Sequence, residues 1–339
     1  MKKSIILLLL CLALALTGCA GKADYAIKVG DWMITENDYS RAINVLRSNY
    51  LSSDETAEDT KEYWTAKLDE NQTLSEAIVE AVQEHLIETK LYAVQFDKLG
   101  LSFTAEEDAT IQKALSETVD SFGGLSKFNA YLKEVHYTYD EFLTEQYDTA
   151  KKSKVLSYYY GADGKAPVKL QDIKDYYNVH NALIKMATIL KVNDDTGEAL
   201  EEKALKEAAQ KAEDAYAAAI APSDIDTFED VIGVYSAYRS DTDSMVVNAD
   251  NTEETILEEI LAMKVGEVKK IEAEDSYYII KRYDGTADDV FTSTLRLETL
   301  ETIRADEIDA MLAEWKADTD VKINKKLIKK YRPENMIVK

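Results

Sequence analysis

The run from Gly161 to Pro167 divides the chain into stretches with different apolar periods. Two glycines and a proline in seven residues disfavour both helix and strand, so the run reads as a linker. Before it, apolar residues recur every three or four positions. Leu74, Ile78, Ala81, Val82, His85, Leu86, Thr89, Ala93 and Phe96 predict one face of a long helix, closed at Leu99 with Gly100 as its C-cap. Tyr39, Ala42, Ile43, Leu46 and Tyr50 predict another, capped by Thr35 with Asp38 three residues on. Thr104 with Glu106 and Glu107 opens a third, Phe122-Gly123-Gly124 is a turn, and two more helices cover 128–132 and 139–160. Residues 26–35 predict a small hairpin around Gly30 and Asp31.

After the linker the pattern changes. Residues 184–192 read as a strand, 198–220 as a long alanine-rich helix, and 228–235 and 255–263 as shorter helices, the last ended by Gly266. Ser276 to Tyr283 is a strand of β-branched and aromatic residues. From 290 to 330 the chain turns helical again, with Leu295, Leu300, Ile303, Ile308, Leu312 and Trp315 on one face, before a short strand from Val321 to Asn324. The expected fold class is α+β: a mostly helical domain made from both ends of the chain, with an α+β domain inserted.

The first residues predict a leader. Lys2 and Lys3 precede an apolar run from Ile5 to Leu16, which is shorter than the roughly 20 residues a membrane span needs. Leu16-Thr17-Gly18-Cys19 resembles the bacterial lipobox, in which the cysteine is acylated and the chain cut just before it. This implies a lipoprotein signal peptide at 1–18 and a lipid-anchored tether at 19–24, with the protein on the extracytoplasmic face of a cell membrane. The two cysteines are Cys11 and Cys19, so a chain cut there carries no disulfide and no cysteine nucleophile.

A net charge of −24 repels phosphate backbones, which makes nucleic acid an unexpected partner. Hydrophobic residues at 46% suffice for real cores. Tyrosine is abundant, at 21 against 7 phenylalanines, and its amphipathic ring suits half-exposed packing or an adaptable surface for unfolded chains.

Several soft motifs, in order, carry a resemblance over nearly the whole chain after the leader. Val29 to Thr35 followed by an amphipathic helix is similar to the entry of PrsA-type foldases and SurA-like chaperones. Leu99 to Glu107 and the Phe122-Gly123-Gly124 turn resemble the same helical domain. Ile173 to Tyr177 resembles the helix leading into a parvulin prolyl-isomerase domain. Lys264 to Val268, followed by Ser276 to Lys281, resembles that domain's C-terminal signature, and Trp315 with the 321–324 strand fits the segment returning to the chaperone domain. The resemblance implies a SurA-like chaperone domain at 25–160, a linker at 161–167, a degenerate parvulin-like domain at 168–286, and a returning helix and strand at 287–339.

The departures bear on chemistry. Parvulins carry two core histidines, and Thr188 and Tyr278 stand in their places here. A threonine and a tyrosine could hydrogen-bond to each other, but they cannot reproduce a tautomer-dependent imidazole pair. The family's Gly-Gly-Asp-Leu-Gly turn is missing between Ser236 and Thr252, and counting back from Gly266 puts Thr252 and Ile256 at the substrate-pocket positions. No catalytic residue is therefore assigned. The three histidines fall elsewhere: His85 on a helix edge, His136 in a loop, and His180 in the helix before the inserted domain. Asp241, Asp243, Asp288 and Asp289 lack calcium-loop spacing and read as solvated loop acids, so neither metal nor cofactor is expected. Lys322, Lys325, Lys326, Lys329 and Lys330 read either as a solvated, flexible end or as a contact with anionic membrane or wall polymer.

The resemblance implies a lipid-anchored chaperone or foldase that meets unfolded or newly translocated secreted proteins, with its parvulin domain inactive. The alternatives are an active peptidyl-prolyl isomerase with an atypical site and a solute-binding lipoprotein. The last would need two lobes of repeated strand–helix units, which one α+β block does not supply.

Overall fold

In the computed structural model, residues 25–53, 57–135, 137–220, 227–288 and 290–337 are described. The expected leader 1–18, Cys19 and the tether 19–24 lie outside the described residues, as do His136 and Asp289. Among the described residues no helix is long and apolar enough to cross a membrane.

In chain order the elements are β1 (Tyr25–Val29), β2 (Trp32–Thr35), α1 (Glu36–Ser53), α2 (Lys61–Thr65), α3 (Leu74–Lys98), α4 (Ala105–Ser121), α5 (Leu125–Glu134), α6 (Tyr139–Tyr160), α7 (Leu170–His180), β3 (Ala182–Leu190), α8 (Glu202–Ile220), α9 (Phe228–Tyr235), β4 (Met245–Val247), α10 (Glu254–Leu261), β5 (Val268–Glu272), β6 (Ser276–Tyr283), α11 (Ser293–Ile303), α12 (Ala305–Ala317), β7 (Val321–Ile323) and α13 (Lys325–Lys330). The fold is α+β and mostly helical. Threonine starts many of the helices. Thr73, Thr104, Thr138 and Thr227 each accept the backbone N–H three residues on, where Glu76, Glu107, Glu141 or Asp230 returns a carboxylate to the threonine N–H.

The chain divides into two compact units, 1–166 with 306–339, and 167–305. In the first, β2-β1-β7 form a sheet in which the returning strand β7 lies antiparallel to β1. Gly100 ends α3 at a φ of +64°, a left-handed geometry that costs glycine little. The buried face of α3 is not the one expected. Leu74, Ile78, Val82, Ala93 and Phe96 are buried, but so are Val79, Ile87, Leu91 and Tyr92. Ala81 and His85 are exposed, while Leu86 and Thr89 are half-buried. Steps of four residues advance 400° around a helix, so a run of fours slides off any fixed face. Tyr92 meets the edge of Trp315 at 5.6 Å.

In the second unit β4-β3-β6-β5 form an antiparallel sheet. β3 and β6 pair from Leu183 with Tyr283 to Leu190 with Ser276. Strand alternation splits the core between two faces. Ala187, Ile189 and Ile279 pack on α8 and α9, while Ile184 and Ile280 pack on α10. Helix α8 starts at Glu202 rather than 198, because Ala199 bridges to Val192.

The expected boundary at 286/287 falls inside this unit. Phe291 is fully buried, 5.1 Å from the Tyr177 ring, and α11 packs on α7. The apolar face expected from Leu295 to Trp315 is two helices, broken at Arg304 and shared between the units. The C-terminal lysines do not form a flexible end: Lys322 lies in β7, and the other four build α13, whose Ile328 is buried and which packs on β1.

Candidate functional site

Thr188 and Tyr278 are direct partners in the β3–β6 register. Residues opposite each other in an antiparallel pair project from the same sheet face, which here is the α10 side. On that face lies a cavity of about 530 Å³. Tyr278, Met186 and Ile280 contribute from the sheet, Ile256 and Ile260 from α10, and Thr252 from the loop before it. Three of the four residues singled out from sequence, Tyr278, Thr252 and Ile256, therefore share one cavity.

The fourth does not, because Thr188 is buried and absent from the cavity lining. Its hydroxyl has no hydrogen-bond partner, so the expected bond to Tyr278 does not form. The residue acts through its backbone instead. Its N–H donates to Ser236 Oγ at 2.9 Å and Asp241 Oδ2 at 3.1 Å, and its carbonyl accepts from Ala237 N–H at 2.7 Å. The Ser236 hydroxyl also donates to Asp241. Asp241 is thus not a solvated loop acid: it is buried and satisfies the edge of β3 beyond the reach of the short β4. The stretch lacking the glycine-rich turn supplies this clasp, with a 3-10 turn at Arg239–Thr242 followed by β4.

The cavity walls mix aliphatic and polar groups, with Asn251, Thr252, Glu253, Glu274 and Asp275 at the lining and no lysine or arginine among its residues. Burial pushes the Tyr278 phenol pKa up. His180 lies outside the cavity. It is exposed, stacks on Tyr176 at 4.2 Å, and its Nδ1 lies 2.9 Å from the Tyr176 carbonyl oxygen. His85 is exposed on α3. Among the described residues no group of three or more histidines, cysteines or acids is placed to hold a metal ion.

Arg282 escaped the sequence reading. Its guanidinium is buried and donates to the carbonyls of Leu261 at 2.6 Å, Met263 at 2.7 Å and Asn178 at 3.2 Å. It thereby ties the C-terminal end of α10, the wall bearing Ile256 and Ile260, to β6. An arginine alternating with apolar residues in a strand gives no signal of such a cap.

The helical unit carries its own apolar surface. Phe122, Leu125, Tyr131 and Val135 are exposed, and Phe122 lies 4.7 Å from Tyr131 and 5.0 Å from the buried Phe128. The turn at Gly123 and Gly124 brings these rings together across the α4–α5 connection. Such a patch can contact extended apolar segments, and tyrosine keeps its hydroxyl in water.

Residues 1–156 match the family model of the SurA-like N-terminal domain. No curated protein matches the sequence. Among solved structures, the foldase protein PrsA from Streptococcus pneumoniae is similar at 14% identity and a TM-score of 0.34, over 77% of this chain and 92% of that one. PrsA from Lactococcus lactis is similar at 14% identity and a TM-score of 0.34, over 91% and 98%. A structure from work on PEB4 and Cj1289, two structurally related SurA-like chaperones of Campylobacter jejuni, is similar at 14% identity and a TM-score of 0.31, over 88% and 98%. The family match therefore covers the N-terminal stretch, residues 1–156, which is similar to the SurA-like N-terminal domain.

Proposed function

We propose that this chain is a lipid-anchored chaperone on the extracytoplasmic face of a membrane. It holds unfolded, newly translocated proteins on its helical unit, and its inserted parvulin-like domain binds chain segments without isomerising proline. The observation that carries the loss of isomerisation is the Thr188–Tyr278 pair, which puts a buried, unpartnered hydroxyl and a phenol at register-matched positions. Neither group is an imidazole, and the peptide bond's rotation barrier of about 20 kcal/mol is left without that pair's hydrogen-bond network. The cavity beside Tyr278 keeps Met186, Ile256, Ile260 and Ile280 in its walls, which suits contact with an apolar side chain.

The Phe122–Tyr131 patch supports holding, because apolar contact stabilises by roughly 25 cal/mol per Å² buried and requires no catalytic group. Anchoring is supported by the Leu16 to Cys19 motif after a short apolar run.

The test is a proline-peptide isomerisation assay run beside suppression of aggregation of an unfolded client. The expected result is no acceleration of isomerisation together with slowed aggregation, the latter weakened in Phe122→Ser/Tyr131→Ser. Isomerisation that falls in Tyr278→Phe would instead support the active-isomerase reading. Labelled palmitate should enter the wild type and not Cys19→Ala, and equal incorporation in both would remove the anchor.

A further inference from the structure

In a chain of net charge −24, the segment from Val321 to Ile337 runs the other way, with six cations and a single acid. Part of this charge is answered internally. Lys330 pairs with Glu36 at 2.6 Å and Lys322 with Asp320, while Arg332 lies 3.7 Å from Glu334. Lys325, Lys326 and Lys329 are exposed and have no ion-pair partner among the described residues. Helical spacing groups them, since 325 and 329 are four apart and 326 and 329 three. Ile328 turns inward, so α13 presents a basic face outward.

This face has a defined place. Asn324 N–H donates to the Ala26 carbonyl at 2.9 Å, so α13 begins beside the first strand of the fold. Its far end is fixed to the start of α1 by the Lys330 and Tyr331 contacts to Glu36. Tyr25 opens β1 six residues after Cys19, a tether spanning roughly 20 Å at most when extended. Lys28 and Lys322 also lie directly opposite each other in the β1–β7 register, where Asp320 answers Lys322.

We propose that the Lys325–Lys326–Lys329 face of α13 docks on the anionic headgroups of the membrane that anchors the chain, as a second contact that orients the helical unit on its tether. The inference rests on the anchor proposed at Cys19. Acyl chains supply attachment, while lysines near an anionic leaflet add an attraction that decays within a Debye length. The body's overall acidity keeps the remaining surface away from the same lipids. A soluble wall polymer has no counterpart to the juxtaposition with the tether, which is why the membrane is the occupant chosen.

A chain beginning at Cys19 has that residue as its single cysteine, so maleimide-lipid vesicles can hold it through the expected anchor atom whether or not a cell acylates it. Amine acetylation, read by mass spectrometry, should slow about threefold at Lys325, Lys326 and Lys329 on vesicles with roughly 30% phosphatidylglycerol relative to neutral vesicles. Lys113 of α4 should not change, and about 0.5 M NaCl should abolish the difference. Hydrogen exchange across 325–331 should be slowed by anionic vesicles in the wild type and not in Lys325→Gln/Lys326→Gln/Lys329→Gln. Equal acetylation on both vesicle types overturns the proposal. So does equal protection by free polyphosphate without vesicles, which would reassign the face to a soluble polyanion. Failure of palmitate labelling in cells with vesicle protection intact removes the anchor reading alone.

Discussion

Arg282 donates to the carbonyls of Leu261 and Met263 at the end of α10 and of Asn178 on α7, with a longer bond to Ile260 at 3.4 Å, and among the described residues it has no carboxylate partner. The carbonyls at a helix C-terminus carry partial negative charge, which is what makes a buried guanidinium tolerable there. Burial lowers its pKa, but arginine stays charged in proteins. Arg282→Met should therefore cost about 2–4 kcal/mol, because it removes the charge-assisted bonds and leaves buried carbonyls unpaired. Arg282→Lys should lose less, as one ammonium cannot span all three acceptors. Urea midpoints of the intact chain measure both, and a midpoint unchanged in Arg282→Met would show that water replaces the cap. Thr188 offers the opposite case. Its hydroxyl is unpartnered, so Thr188→Val should be neutral or slightly stabilising, whereas Asp241→Ala should destabilise by about 1–3 kcal/mol, because it removes one of the two acceptors of the Thr188 N–H and the carboxylate that the Ser236 hydroxyl donates to. The parvulin resemblance singled out Thr188, as the residue standing at a core-histidine position. Only the β3 edge reveals that its backbone, rather than its side chain, makes the connection.

Among the elements, α9 and β6 match their expected limits at 228–235 and 276–283, because a threonine cap or a dense run of β-branched and aromatic residues states them locally. β4 and β5 were not legible. Three residues carry no period, and the Val268 to Glu272 strand places two lysines and a glutamate among two aliphatics. Their strand state comes from pairing with β3 and β6, and Lys269 and Lys270 are steadied by Glu259 and Glu213. The α3–α6 pair was foreseen as two helices, without the cluster that joins them. Asp148 of α6 is almost wholly buried between Lys90 of α3 and Lys151, and the Lys151 ammonium lies 4.0 Å from the Trp32 ring centre. Asp148→Ala leaves two mostly buried ammonium groups without their carboxylate and should cost about 3–5 kcal/mol. The helix caps set a pH dependence. A bond from Lys154 and the Thr104 N–H hold Glu107 below the usual carboxylate range. Burial works against Glu141, but bonds from Asn37 and Thr138 outweigh it and also hold its pKa down. Carboxylates depressed in the folded state stabilise above their unfolded pKa, and that stability is lost as pH falls through the folded value. The melting temperature should thus be level near neutrality and fall from about pH 4 downward, with a shallower fall in Thr104→Val/Thr138→Val, where the returning carboxylates lose one partner.

At the scale of the whole molecule the linker near residue 166 was legible from two glycines and a proline, but the second crossing was not. Nothing in composition marks residue 305, since the helical pattern runs from 293 to 317 with a single break at Arg304. The apolar residues on either side look alike in sequence, and only their packing assigns Phe291 and Leu300 to one unit and Ile308 and Trp315 to the other. This assignment changes which fragment should fold alone. Residues 167–305 contain both faces of the β3–β6 sheet core and the α7–α11 contact, and should melt as one cooperative transition. Residues 168–286, the boundaries expected from sequence, omit Phe291 and the buried side of α11. Removing a fully buried phenylalanine ring alone costs about 3–5 kcal/mol, and it uncovers Tyr177 on α7. The shorter fragment should accordingly melt well below the longer one or populate a loosened state that binds a hydrophobic dye. Calorimetry on the two fragments side by side decides the matter, and equal melting temperatures would show that α11 is dispensable and that the compact unit ends near 286 after all.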